Sequence, residues 1–438
     1  METTSLVQVN DTVLDALRRP AWPYYVLLPI SVSALAVGVY SWWYQIQTGM
    51  GVAGVSHPVM WGVYITNFVF WVGIAHSGTL LSAVLFLMRV RWRNAIFRSA
   101  EAMTVFAVMT AGFYPLIHLG RVWKWYWFFP YPNQRYLWPN FSSPLMWDVV
   151  AILTYFLISS MFLYVGLIPD LAAARDRAKG WRRRFYGWVA LGWQGSHRQW
   201  THHRTAYMFL AAFATPLVVS VHSIVSWDFA MTIVPGWHST IFAPYFVAGA
   251  IHSGLAMVLT LLIPLRYVFR LQSVITRDHF ENMAKLIIVT GLIMGYAYIT
   301  EFFIAWYSGN LFERASFVYR ALGEFAPAFW TMVLFNSALP LAFLARPVRR
   351  NIAALLTIGF LVNVGMWFER FVIIVGSLAH EYSPYAWGSY KISWVEYGIS
   401  LGSIGWFCTL FLLFIKFFPA VSITEVKELL VEKPEEAA

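Results

Sequence analysis

Ten stretches of the chain stay apolar for long enough to cross roughly 30 Å of hydrocarbon as helices. They lie near 24–43, 58–88, 97–119, 147–168, 205–227, 241–264, 284–306, 325–345, 352–376 and 395–418. The segments between them are polar or aromatic, and none is long enough to make a separate soluble domain. The pattern predicts an all-α integral membrane fold of about ten transmembrane helices. Pro58, Pro244 and Pro327 stand near predicted helix starts, where a missing N–H costs little. Pro115 and Pro216 fall inside the third and fifth runs and predict bends there.

One short word occurs twice. The second run carries GIAHSGTLLSAVL around His76, and the sixth carries GAIHSGLAMVLTLL around His252. Both runs cross in the same direction and each opens a group of four. The repeat predicts two four-helix bundles, runs two to five and six to nine, related by an axis along the membrane normal. The first and tenth helices are then peripheral. The chain divides into an arm with its peripheral helix over 1–57, a first bundle over 58–230, a second over 231–377, and the last helix with its tail over 378–438. Small residues beside a polar one also serve plain helix packing, so the word has that second reading.

Composition agrees with the pattern. Hydrophobic residues make up 59% of the 438, and charged residues 12%, against about 25% in soluble domains. The net charge of +10 would suggest nucleic acid until the charges are placed. Twenty-three of the 31 lysines and arginines fall on the side of the N-terminus and six on the opposite side. Lys285 and Arg370 are the remaining two. The bias puts both termini in the cytoplasm, and no nucleic-acid partner is expected. The first twenty residues are polar, so no secretory signal is expected. The basic, Trp-containing loop over 170–204 is expected to lie on lipid headgroups. The tail ITEVKELLVEKPEEAA is polar, and a partner is expected to order it. Cys408 is the only cysteine, which excludes an intrachain disulfide, a self-held iron–sulfur cluster and a C-x-x-C-H haem site. His76, His118, His222 and His252 sit on four different runs at unequal depths, so no metal or haem is expected in this chain.

The most distinctive stretch is HLGRVWKWYWFFPYPNQRYLWPNFSSPLMWD, from His118 to Asp148. Tyr and Trp collect at membrane–water interfaces, so the loop reads as a lid on the bilayer surface away from the termini. His118 and Asp148 are expected to face each other beneath it. Charge inside the hydrocarbon is expensive and usually marks a pathway or pocket. Asp228 ends the fifth run and Arg370 sits in the ninth, and both are expected to join the pair. Arg370 needs a carboxylate, from Asp148, Asp228 or its neighbour Glu369; a structural salt bridge between helices is the other reading. A quinol explains the combination. Its hydroxyls need bases, which an imidazole and a carboxylate supply, and its ring and tail need aromatic and apolar walls. A second set, His76, Glu101, His222, His252, Lys285, Glu301 and Glu369, is expected to form a proton path; simple hydrogen bonding between helices is the alternative.

With those residues in place, the chain resembles the membrane subunits of the NrfD/polysulfide-reductase family. The lid stretch is similar to that of the quinol-oxidising C subunit of bacterial alternative complex III. The resemblance implies menaquinol as substrate, held by His118, Asp148, Asp228 and Arg370 near the extracytoplasmic face of a bacterial inner membrane. It also implies partners: an extracytoplasmic iron–sulfur subunit, haem c subunits and a paralogous membrane subunit. Two other readings stay open. One is the quinone-reactive anchor of a polysulfide- or nitrite-type reductase, with electrons flowing the other way. The other is a secondary transporter built on two repeats, although such transporters place broken helices at midplane.

Overall fold

The computed structural model describes residues 6–18, 20–129 and 142–432. Much of the expected lid, 130–141, lies outside the described residues. Apart from an isolated bridge between Ser56 and Val59, the described residues form no strand. Among the described residues ten helices are long and apolar enough to cross a membrane, as the hydrophobic runs predict. In chain order the helices are α1 (Leu6–Arg18), α2 (Trp22–Thr48), α3 (Val63–Leu87), α4 (Phe97–Leu119), α5 (Pro144–Arg177), α6 (Trp181–Val189) and α7 (His197–Ala230). They continue with α8 (Phe242–Val268), α9 (Arg277–Tyr307), α10 (Leu311–Leu322), α11 (Ala326–Leu344), α12 (Ile352–Gly376), α13 (Trp394–Phe417) and α14 (Ile423–Glu432). The chain is an all-α, multi-pass membrane protein.

Polar side chains set the starts of several spans. Ser196 accepts from the Gln199 amide in a capping box that opens α7, and Ser393 with Glu396 does the same for α13. Asn351 accepts from the Ala353 and Ala354 amides at the head of α12. α5 and α7 outrun the apolar windows that predict them because their polar ends continue as helix.

The spans form two groups of four. α3 packs on α4 and α7, α5 packs on α4 and α7, and the ring closes. α8 packs on α9 and α12, and α11 touches both of those. The two groups meet through α3 and α8, where the repeated words cross. A Cβ on Gly254 would meet the Ser77 Oγ at 1.9 Å, so only a glycine allows this approach. α2 and α13 form a separate outer pair. At Gly38 and Gly402 they come close enough that a Cβ on either would lie 2.3 Å from the other's Cα.

Two faces follow from this order. The termini face carries α1, α6, α14 and the basic connectors. The lid face carries the loop after α4 and the amphipathic α10. The tail does not wait for a partner: α14 docks on the body of the protein, with Val421 and Ile423 buried. α-Helical hydrogen bonding gives way to π-type turns at Leu80–Val84, Leu334–Ala338 and Val372–Gly376. Such turns re-aim the side chains beside them, and the last two flank the polar interior of the second group.

Candidate functional site

The site begins where α4 ends. Gly120, at φ 71°, reverses the chain after His118 and Leu119, against Met50. The chain then winds through a tight 3-10 segment, Val122–Phe128, that carries Trp125, Trp127 and Phe128 over the mouth between α4 and α5. Beneath them lies a cavity of about 800 Å³. Its walls are mainly aromatic and aliphatic, including Trp61, Phe68, Phe129, Ile152 and Phe229. Three titratable side chains interrupt them: His118 from α4, Asp148 from α5 and Asp228 from α7.

The two aspartates are brought together. Both are buried, and their carboxyl groups stand within hydrogen-bonding reach of each other. One carboxyl must donate for such a contact to attract, so the pair most readily holds one proton between its two members. Each also leaves Oδ1 without a partner, and His118 leaves Nδ1 unpartnered. The site therefore offers unused acceptors inside an apolar wall. Trp147 and Trp227 meet edge to face at 6.1 Å just before the two acids. A Trp-Asp pair at both helix ends, LMWD and VSWD, was the available sequence signal that these two carboxyls belong together.

Arg370 does not line this cavity, contrary to expectation. It pairs with Glu369, Nη1 to Oε1 at 3.1 Å, and its guanidinium covers the face of Phe246 at 4.3 Å. Glu369 also accepts from Tyr298, and Asn336 donates to Tyr298 at 2.8 Å and to Glu369 at 3.3 Å. Asn336 comes from one π-type turn, and Glu369 and Arg370 stand just before another. Glu301 is buried with Oε1 unpartnered, and Arg320 bonds to Ser377. The four outer residues thus separate into a cavity trio in the first group and an arginine network in the second. Phe229, on the cavity wall, stands 5.6 Å from Phe246, so aromatic rings bridge the two.

The remaining predicted residues fall in three places. His76 and His222 are fully buried with ring centroids 4.5 Å apart, and His76 stacks on Tyr155 at 5.1 Å. Neither nitrogen of His222 has a partner. His252 bonds to Thr290 at 2.7 Å within the second group. Glu101, near the termini face, accepts from Arg98 at 2.9 Å and from Tyr207 at 3.0 Å. Lys285 departs from expectation. It is exposed on α9 and donates to Asn282 at 3.2 Å, so it lines no interior route. Among the described residues no group of three or more His, Cys, Asp or Glu is placed to hold a metal ion.

Comparison with known proteins fits this architecture. The chain is 27% identical to a Halobacterium salinarum protein provisionally named as a membrane subunit of dimethyl sulfoxide reductase, over 76% of this chain and 73% of that protein. It is 23% identical to the Hdr-like menaquinol oxidoreductase integral membrane subunit of Archaeoglobus fulgidus, over 82% of each. It is 22% identical to a selenate reductase subunit of Mesobacillus selenatarsenatis, over 87% of this chain and 91% of that protein. The family model for polysulphide reductase, NrfD, matches residues 51–380. That span holds both four-helix groups and every residue of the cavity and the arginine network, and the chain belongs to the NrfD polysulphide reductase family.

Proposed function

We propose that this chain is the quinol-oxidising membrane subunit of a respiratory or photosynthetic oxidoreductase, working as its counterpart in alternative complex III does. The observation that carries the reading is the Asp148–Asp228 contact inside an aromatic-walled cavity. A quinol head group fits between the tryptophans and the acids, and its isoprenoid tail leaves along the apolar wall between α4 and α5. Oxidation of one menaquinol to menaquinone releases two protons and two electrons. The unpartnered oxygens of Asp148 and Asp228, with the His118 imidazole, take up the hydroxyl protons. The electrons leave to an oxidant in a neighbouring iron–sulfur subunit, because a chain with one cysteine holds no cluster of its own. The relative named as a menaquinol oxidoreductase subunit supports the substrate class.

On this reading the lid face is extracytoplasmic and both termini are cytoplasmic, in a bacterial inner membrane, following the basic bias of the termini face. The rest of the assembly consists of haem c subunits and a paralogous membrane subunit. Protons continue inward past His222 and His76 toward Glu101, and past Glu369, Glu301 and His252 in the second group. Arg370 acts on the quinol site only indirectly, through the rings of Phe246 and Phe229. The reading is tested by Asp148→Asn and His118→Ala in the purified complex. Quinol:acceptor activity should be lost while the complex still assembles, and full activity in both variants would exclude the assignment.

A second reading keeps the site and reverses the flow, with quinone reduced as electrons arrive from a reductase partner. The relatives named for dimethyl sulfoxide and selenate reductases favour it. The identity of the proteins that co-purify with this chain separates the two.

A further inference from the structure

The termini-face end of the first group is closed by the chain's own tail. Asp170, near the end of α5, is almost wholly buried. Its Oδ1 accepts from the Ile423 amide at 3.2 Å, the Thr424 amide at 3.3 Å and the Thr424 hydroxyl at 3.3 Å. These are the opening residues of α14, whose free amides and positive helix end favour a carboxylate. The next residue, Glu425, accepts from Arg93 at 2.7 Å, and just before the helix Ser99 donates to the Ala420 carbonyl at 2.7 Å.

Behind this cover lies a set of charges. Arg98 bonds to Glu101 and to the Gly166 carbonyl at 2.7 Å and reaches Asp170 at 3.4 Å. Tyr207 holds the other oxygen of Glu101. Arg98 and Glu101 are each only 2% exposed at the side chain. Buried charge of this kind is costly unless paired, and the ten-residue α14 covers the edge of this set through Asp170 and Arg93.

We propose that α14 is a latch, with Asp170 as its keeper and Arg93 holding Glu425, and that it closes a proton entrance whose inner groups are Glu101 and Tyr207. The inference rests on the proposed function only in taking the first group as a route for protons. Opening moves α14 away from Asp170 and lets water reach Glu101. Closing restores the dry, paired cluster.

The test reads access to Glu101 without turnover, so it stands apart from quinol chemistry. The assembled complex is treated with a water-soluble carbodiimide and an amine, and modified carboxyls are located by peptide mass spectrometry. Asp176, 67% exposed, reports full labelling, and Glu369, fully buried, reports that the fold is intact. In the full chain Glu101 should be labelled at least about tenfold less than Asp176. In a chain ending at Pro419 it should rise by about tenfold while Glu369 stays unmodified. Glu425→Ala, which keeps the tail, should give a smaller rise and replaces the truncation if that chain fails to assemble. Glu101 labelled as fully as Asp176 in the unaltered chain overturns the latch, and so does Glu101 still protected after its release.

Discussion

Asp148 and Asp228 meet carboxyl to carboxyl at the lid-face ends of α5 and α7, inside a cavity whose other walls are mostly aromatic and aliphatic. Each acid stands in the first or last turns of its own helix. Neither alone would stand out from an ordinary helix-end carboxylate. Their contact makes the two acids one unit in the proposed site, and that sets the first expectation. Asp148→Asn and Asp228→Asn keep the size and the hydrogen-bonding reach but remove the base. Each should lower quinol oxidation by about 100-fold or more, in line with the loss of a general base. Assembly, followed by size-exclusion chromatography, should be unchanged. Near-normal rates in either variant would detach that acid from the chemistry.

Arg370 and Glu369 make a buried pair within the second group, so removing one charge strands the other. Arg370→Met should destabilise the chain by about 3 to 5 kcal/mol, read as a lower thermal midpoint in detergent. The double variant Arg370→Met with Glu369→Gln should recover a substantial part of that loss. A double variant as unstable as the single one would show that the arginine acts through its packing on Phe246 instead.

Where α3 crosses α8, the glycine of one repeated word receives the serine of the other. Gly254→Ala puts a methyl on the Ser77 side chain and near the Ile74 carbonyl, at 2.9 Å. Overpacking of this kind costs about 1 to 3 kcal/mol. Adding Ser77→Gly clears the side-chain atoms, leaves the carbonyl, and should restore part of the stability. No recovery would place the strain in the backbone.

Glu425 gives the tail a pH dependence. Burial pushes its carboxyl up to about 7, against the pull of Arg93 and Arg98. A carboxyl raised above its unfolded value favours the docked state when protonated, so docking weakens as pH rises through that region. Proteolytic release of the tail should therefore quicken from about pH 6 to about pH 8. Glu425→Gln should flatten the profile. A steeper profile in that variant, or tighter docking at high pH, would contradict the assignment.

The number of spans, their approximate positions and the family were legible in the sequence, because hydrophobic length is a one-dimensional property and the bilayer reads it directly. The aromatic stretch after His118 marks itself by composition, and its described part, with Trp125, Trp127 and Phe128, lines the cavity. Which charged residues share a site was not legible. Position along a helix gives depth, but the face a side chain occupies depends on what packs against it. Lys285 illustrates this at the start of the seventh apolar run, more than two turns into α9, where the run conceals an outward-facing lysine. Arg370 is buried in α12, and tertiary packing gave it Glu369 and Phe246 rather than the cavity acids. The polar tail was expected to need a separate partner because the groups that hold it, Asp170 in α5 and Arg93 in the connector before α4, are far away in sequence. The sequence determined how much of this chain must sit in the membrane. Only the packing of α5 against α7 decided that Asp148 would meet Asp228, because two helices must touch before their ends can share a proton.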